Sequence, residues 1–272
     1  MISHLLKIKM FAMYDHFPEL KPVNDLAPHI NCYSDTYVNM CTGPGPNIAM
    51  LLEPRSMIGP AYDWVEEHEN YFRYIFTHDS KLLKLPQARM LNWADVWLTT
   101  DSKKTKGISL CTSPKNWCPL HDARLRLYDY FEEHGGVDLF YGDWNNPELP
   151  NIKPQDYLEH YKFSIIIEND IDDYWYTEKI LNCFATKTVP IYVGARKIDS
   201  LFDGRGIVHI KGWMDIPQTI ENLSHYDLAM LYYKLLPGIE ENFKRVEPWK
   251  IPWKERFFRD YGDLLEDMIH GR

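Results

Sequence analysis

Residues 163–167 and 189–193 are apolar at almost every position, not at every second one. A strand with one wet face alternates, so a near-continuous apolar run marks a strand covered on both sides, as in a parallel sheet flanked by helices. Further runs at residues 8–14, 48–52, 71–76, 96–99, 107–111, 137–141 and 207–210 are set apart by Pro, Gly, Asn and Asp clusters and read as strands too. Helical periodicity fills the gaps. Residues 123–134 are amphipathic and stop at Gly135-Gly136, and residues 177–186 put Ile180, Leu181 and Phe184 on one face. Residues 218–223, 227–235 and 253–270 follow the same rule, the last of them behind Pro252. This alternation predicts an α/β protein with two open parallel-sheet domains facing each other across a cleft. The polar stretch at residues 100–106 sets the boundary. Residues 1–102 then form the first domain, 103–250 the second, and 251–272 a C-terminal helix crossing back toward the first.

With 39 acidic residues against 30 Lys and Arg, the net charge is −9. Such a chain repels a polyanion at long range, so nucleic acid is not an expected partner. A small phosphorylated ligand is still allowed, because a few cations in one pocket dominate at contact distance. The five cysteines (Cys32, Cys41, Cys111, Cys118 and Cys183) are odd in number and show no CxxC spacing. That suits reduced thiols and a cytoplasmic location, with Cys111 and Cys118 the one pair close enough to bridge a loop. No apolar run is long enough for a membrane span, and the eleven histidines show no HExxH spacing. Neither a membrane anchor nor a zinc site is expected.

The chemistry concentrates in residues 163–194. A buried strand emerges at Glu168-Asn169, a polar and aromatic loop follows, and a helix starts at Thr177-Glu178-Lys179. In open α/β sheets ligands bind beyond the carboxyl ends of strands, where helix starts offer free N–H groups and partial positive charge. Lys179 adds a full charge there. Thr177 by itself is an ordinary N-cap. The pairing with Glu168-Asn169 and the aromatic run Tyr174-Trp175-Tyr176 is what points to a binding site.

These residues resemble the donor-binding signature of glycosyltransferase family 10, the α1,3/1,4-fucosyltransferases. The signature is a strand ending in Phe-Glu-Asn, a short loop, Tyr-x-Thr-Glu-Lys, a helix, then Val-Pro-Ile/Val-x-x-Gly. Here it reads Ile167-Glu168-Asn169, Trp175-Tyr176-Thr177-Glu178-Lys179 and Val189-Pro190-Ile191-Tyr192-Val193-Gly194. Ile167 replaces a Phe, Trp175 stands where Tyr is usual, and Asp170 where Ser is common. Upstream, Ser113 lies in a small polar loop after a strand, and Arg124 precedes Tyr128-Asp129 at the family's spacing. Glu53, in the strand-end sequence Glu53-Pro54-Arg55-Ser56, is a looser match to the turn that carries the family's catalytic base.

The resemblance implies a GT-B fold and a soluble member of bacterial or viral type. It further implies an inverting transferase moving fucose from GDP-fucose to a hydroxyl of an oligosaccharide or glycan acceptor. Arg124 and Lys179 would neutralise the diphosphate, Asn169, Thr177 and Glu178 would orient the donor, Trp175 would pack against the nucleotide, and Glu53 would take the acceptor proton. Glu168, Tyr176 and Ser113 would complete the pocket. No cofactor is required by this scheme; a divalent metal is allowed but not implied, and Asp172-Asp173 has no metal role in the signature. His78-Asp79 reads as a polar turn. Alternatives are a GT-B transferase using another nucleotide sugar, and an inactive nucleotide- or carbohydrate-binding protein of the same fold.

Overall fold

The computed structural model describes residues 8–13, 29–142 and 146–271, so Tyr14, expected to end the first strand, lies outside them. The chain divides into two compact units: residues up to Trp93 together with Ile251–Arg272, and Ala94–Lys250. The polar stretch 100–106 therefore lies inside the second unit.

The first unit runs β1 (Ile8–Phe11), β2 (Ile30–Ser34), β3 (Asn47–Met50), α1 (Arg55–Glu67), β4 (Tyr74–Thr77) and β5 (Ala88–Met90). These strands form one sheet in sequence order, and every pairing is parallel. The strand β2 carries no apolar run. Its Asn31 is accommodated because Nδ2 donates to Asn47 Oδ1 at 3.0 Å, across to β3. Ala61, Tyr62 and Val65 of α1 pack on Tyr33, Ala49, Leu51 and Ile75 on one side of the sheet.

The second unit runs β6 (Lys106–Thr112), α2 (Pro119–His134), β7 (Asp138–Tyr141), α3 (Pro154–Leu158), β8 (Tyr161–Ile167), α4 (Glu178–Ala185), β9 (Val189–Val193), β10 (Val208–His209), α5 (Ile216–Ser224) and α6 (Leu228–Arg245). Its sheet has the order β10-β9-β8-β6-β7, again wholly parallel. The expected stop after α2 is present: Gly135 has φ +72°, a conformation that glycine adopts without strain. All of β9 is buried, as is β8 apart from Lys162, which explains their continuous apolarity. Helix α7 (Trp253–His270) belongs to the first unit, where Phe257, Phe258 and Leu265 pack on Ile30, Cys32, Met50 and Phe76.

Residues 96–99 are not the strand their apolarity suggests. Val96 N–H donates to the Trp249 carbonyl at 3.0 Å, and Trp97 and Leu98 N–H both donate to Asn182 Oδ1 at 2.8 and 3.2 Å. These three donors go to a 3-10 turn (Glu247–Lys250) and to a side chain of α4, so the segment joins no sheet. All five cysteines are free, four of them buried. Among the described residues no helix is long and apolar enough to cross a membrane.

Candidate functional site

The order of the second sheet reverses at β6. The chain leaves β6 through α2 for β7 on one side, and β8 then returns to the other side. Such a reversal leaves room beyond the carboxyl ends of the two strands for a ligand. A cavity of about 170 Å³ lies there, lined by Thr112 at the end of β6, Ser113 and Lys115 just after it, Ile165–Ile167 of β8, Arg124 of α2, and Glu178 and Lys179 of α4. Trp97 and Tyr157 supply an apolar wall.

Glu168, immediately after β8, has no exposed surface. Thr177 N–H donates to its Oε1 at 2.9 Å, and the Thr177 hydroxyl to its Oε2 at 2.7 Å. Lys179 Nζ lies 3.4 Å from the same Oε2. Burying a carboxylate is costly unless it is paired and hydrogen-bonded. Burial still dominates and pushes the Glu168 pKa up, against the pull of Lys179 and of the Thr177 donors. The close fit needs Gly194, since a Cβ there would sit 2.6 Å from Glu168 Cγ and collide with Tyr192 Oη. Glu168 is thus a bracket under the site: it closes the 170–176 loop and fixes the start of α4. Thr177 is the N-cap of that helix, accepting Lys179 N–H at 3.3 Å.

Asn169 Oδ1 accepts from Arg124 Nη2 at 2.9 Å, and His121 Nε2 lies 3.2 Å from it. Burial lowers the Arg124 pKa from its ordinary value, and the nearby carboxylates of Glu168 and Glu178 oppose the shift. His121 is buried, and its pKa is pushed down to about 4 by burial and by the Arg124 and Lys179 charges. Of the residues singled out in sequence, Ser113, Arg124, Glu178 and Lys179 line the cavity, while Asn169 holds Arg124, and Glu168 with Thr177 holds Lys179 and the start of α4. Trp175 and Tyr176 are a correction. Trp175 is 1% exposed and is not part of the lining, so its ring offers no free face to a nucleotide. Tyr176 sits in the core beside Phe202 and Trp249. Lys115, Trp97 and His121 went unread. His121 and Arg124, three residues apart on α2, share a helix face, which is the signal that would have linked them.

Glu53 belongs to the first unit, beyond the carboxyl end of β3 and ahead of α1. Its backbone is clamped on two sides. Asp35 Oδ1 accepts Leu52 N–H at 2.8 Å and Glu53 N–H at 3.1 Å, and the Tyr62 hydroxyl donates to the Glu53 carbonyl at 2.8 Å. Asp35 has φ +50°, a left-handed conformation that Asp tolerates better than most residues. The Glu53 side chain is partly exposed. Arg55 is committed to Asp79, Asp63 and Glu66 at 3.0, 3.3 and 2.7 Å. Buried His78 lies 3.3 Å from Tyr62 Oη, and burial pushes its pKa down to about 3. Asp79 Oδ1 accepts Lys81 N–H at 3.0 Å and Leu82 N–H at 2.8 Å, just ahead of the turn at Leu82–Lys84. Asp173 is taken up by Arg196 and Lys197 at 3.2 and 2.8 Å. Among the described residues no three His, Cys, Asp or Glu converge as metal ligands would.

Comparison with solved structures identifies the fold. An alpha1,3-fucosyltransferase with GDP matches at a TM-score of 0.58 with 14% identity, over 97% of this chain and 90% of that one. The GtfA/B complex matches at 0.54 with 9% identity, over 90% of this chain and 58% of that one. The fold is that of the GT-B glycosyltransferases, with two parallel-sheet α/β units. Residues 101–234, just under half of the chain, match the family model described as glycosyltransferase family 10 (fucosyltransferase) C-term. The bovine 3-galactosyl-N-acetylglucosaminide 4-alpha-L-fucosyltransferase FUT3 is 26% identical over 148 residues, 51% of this chain and 38% of that protein. The human 4-galactosyl-N-acetylglucosaminide 3-alpha-L-fucosyltransferase FUT6 is 27% identical over 148 residues, 51% of this chain and 39% of that protein. The match thus spans well under half the length of these curated relatives.

Proposed function

We propose that the protein is an inverting fucosyltransferase that moves fucose from GDP-fucose to a hydroxyl of a glycan acceptor. One observation carries the reading: Lys115, Arg124 and Lys179 converge on a single cavity at the sheet's reversal point, in a chain whose net charge is −9. Three cations on one small cavity suit a diphosphate, and a guanidinium can take two of its oxygens at once. The long-range field of the chain speaks against a nucleic-acid acceptor.

In this reading the acceptor oxygen attacks the anomeric carbon as the carbon–oxygen bond to GDP breaks on the opposite face. A β-linked donor gives an α-linked product. Glu53 takes the hydroxyl proton; a positioned base of this kind contributes roughly 10²–10⁴-fold. Asp35 and Tyr62 support that role by holding the Glu53 backbone in place. Arg124 and Lys179 stabilise charge growing on the departing diphosphate, and this needs no metal, though a divalent ion is compatible with it.

The test is calorimetric and kinetic. Arg124→Ala and Lys179→Ala weaken GDP binding, whereas Glu53→Gln leaves GDP affinity near wild type and abolishes transfer to a lactosamine-type acceptor. Transfer at normal rates by Glu53→Gln overturns the base. A different nucleotide sugar outcompeting GDP-fucose overturns the donor, and GDP binding without transfer or hydrolysis points to an inactive binding protein.

A further inference from the structure

His121 occupies the third residue of α2, one turn after the loop that carries Ser113 and Lys115 into the cavity. Trp117 N–H, in that loop, donates to His121 Nδ1 at 3.1 Å. A neutral imidazole has one donor and one acceptor nitrogen, so with Nδ1 accepting, the proton is on Nε2. That Nε2–H faces Asn169 Oδ1, 3.2 Å away, and Asn169 Oδ1 also accepts from Arg124. Both arms of the imidazole are thereby used, one toward the end of β6 and one toward the end of β8.

We propose that His121 is a positioning residue of the donor cradle: as the Nε2–H tautomer it ties the Lys115 loop to Asn169 and, through Asn169, to Arg124. Its place explains the choice of residue. A side chain at this helix position commonly reaches back to a free N–H at the helix start, and Glu or Gln usually does so. A Glu here would set an anion beside the diphosphate, and an imidazolium would repel Arg124, Lys179 and Lys115. Those three cations and burial keep the ring neutral, its pKa pushed down to about 4. A neutral ring therefore performs the cap and also presents a donor to Asn169. The carbonyl oxygen of the Asn169 amide is held toward His121 and Arg124 before any ligand arrives, which removes an ordering cost from binding.

This inference rests on the donor reading, and the experiment separates the two. GDP affinity is measured by calorimetry for wild type, His121→Phe, His121→Gln and His121→Glu, with folding of each checked by its thermal transition. Loss of the ring's two hydrogen bonds weakens GDP about tenfold in His121→Phe, while the amide of His121→Gln, which can accept and donate, restores affinity to within about threefold. His121→Glu keeps the cap yet binds GDP more weakly than His121→Gln. In the Asn169→Ala background His121→Phe adds less than a further twofold, because its effect passes through Asn169. Nitrogen-15 spectra of the wild type, with the His121 signal identified by its absence in His121→Gln, show the Nε2–H tautomer and no titration above about pH 5. Wild type that fails to bind GDP overturns the donor reading and this role with it. Wild type that binds while a folded His121→Phe binds equally well overturns only His121. So does a charged imidazole at neutral pH. If His121→Phe does not fold, the contrast between the Gln and Glu variants decides.

Discussion

Replacing Thr177 with Val tests whether the buried bracket holds the cavity wall together. Valine keeps the volume and β-branching and removes one oxygen. That oxygen donates to Glu168 Oε2 at 2.7 Å, accepts Lys179 N–H at 3.3 Å and lies 3.1 Å from Lys179 Nζ. Loss of an N-cap oxygen costs about 1 kcal/mol. Loss of a hydrogen bond to a charged, fully buried acceptor costs about 1.5–3 kcal/mol. The two effects share one hydroxyl, so the expected loss is about 2–4 kcal/mol and not more. The pH dependence has a definite sign. Burial raises the Glu168 pKa in the fold above its unfolded value, so ionised Glu168 penalises the native state at neutral pH. The penalty is lost progressively as pH falls from the folded pKa to the lower unfolded one. Removing the Thr177 hydroxyl, which favours the carboxylate, moves that pKa higher still. The gap between Thr177→Val and wild type is therefore widest near neutrality and narrows on acidification. Urea titrations at about pH 7.5 and pH 5, analysed by linear extrapolation, measure both quantities. A loss below about 0.5 kcal/mol at neutral pH, or one that grows on acidification, refutes the bracket.

Gly194→Ala drives a methyl group into Glu168 and Tyr192 and is expected to destabilise by about 1–3 kcal/mol. That corresponds to roughly 2–4 °C of melting temperature per kcal/mol in a unit of this size, together with weaker GDP binding. His78 is buried neutral, with a pKa of about 3 that lies far below the unfolded value. Its contribution is complete above about pH 6.5 and is lost as pH falls toward the folded value, at roughly 1.4 kcal/mol per pH unit; a His78→Gln variant shows a shallower acid limb in urea titrations. Asp173→Ala breaks only exposed ion pairs to Arg196 and Lys197. It should cost no more than about 1 kcal/mol in the same titrations and leave transfer rates unchanged.

The residues around the cavity could be read from sequence because their grammar is local. Glu168 and Asn169 end a strand, Thr177 to Lys179 start a helix, and a parallel strand followed by a helix brings those two ends together whatever the intervening loop does. The same logic misled at Trp175 and Tyr176. An aromatic pair in a polar loop looks like a platform for a ligand, but a loop that spans a buried carboxylate has to be held shut. Here Tyr176 packs on Phe202 and Trp249 in the core, and Trp175 has almost no exposed surface.

What the sequence withheld depends on partners distant along the chain. The strand Ile30–Ser34 carries Asn31 and Ser34 and has no apolar run; only the amide contact to Asn47 makes Asn31 affordable inside a sheet. Residues 96–99 have the apolarity of a strand, yet two of their donors go to Asn182, more than eighty positions away. His121 is the sharpest case. A lone histidine on an amphipathic helix carries no message by itself. Its meaning comes from Trp117 one turn back and Asn169 forty-eight positions ahead, which only the folded sheet brings to the same imidazole. Spacing along the chain therefore locates groups that line the cavity, because strand ends and helix starts are sequence signals. Groups that hold those residues still are chosen by three-dimensional neighbours, and the variants that separate His121 from Asn169 are where that distinction can be measured.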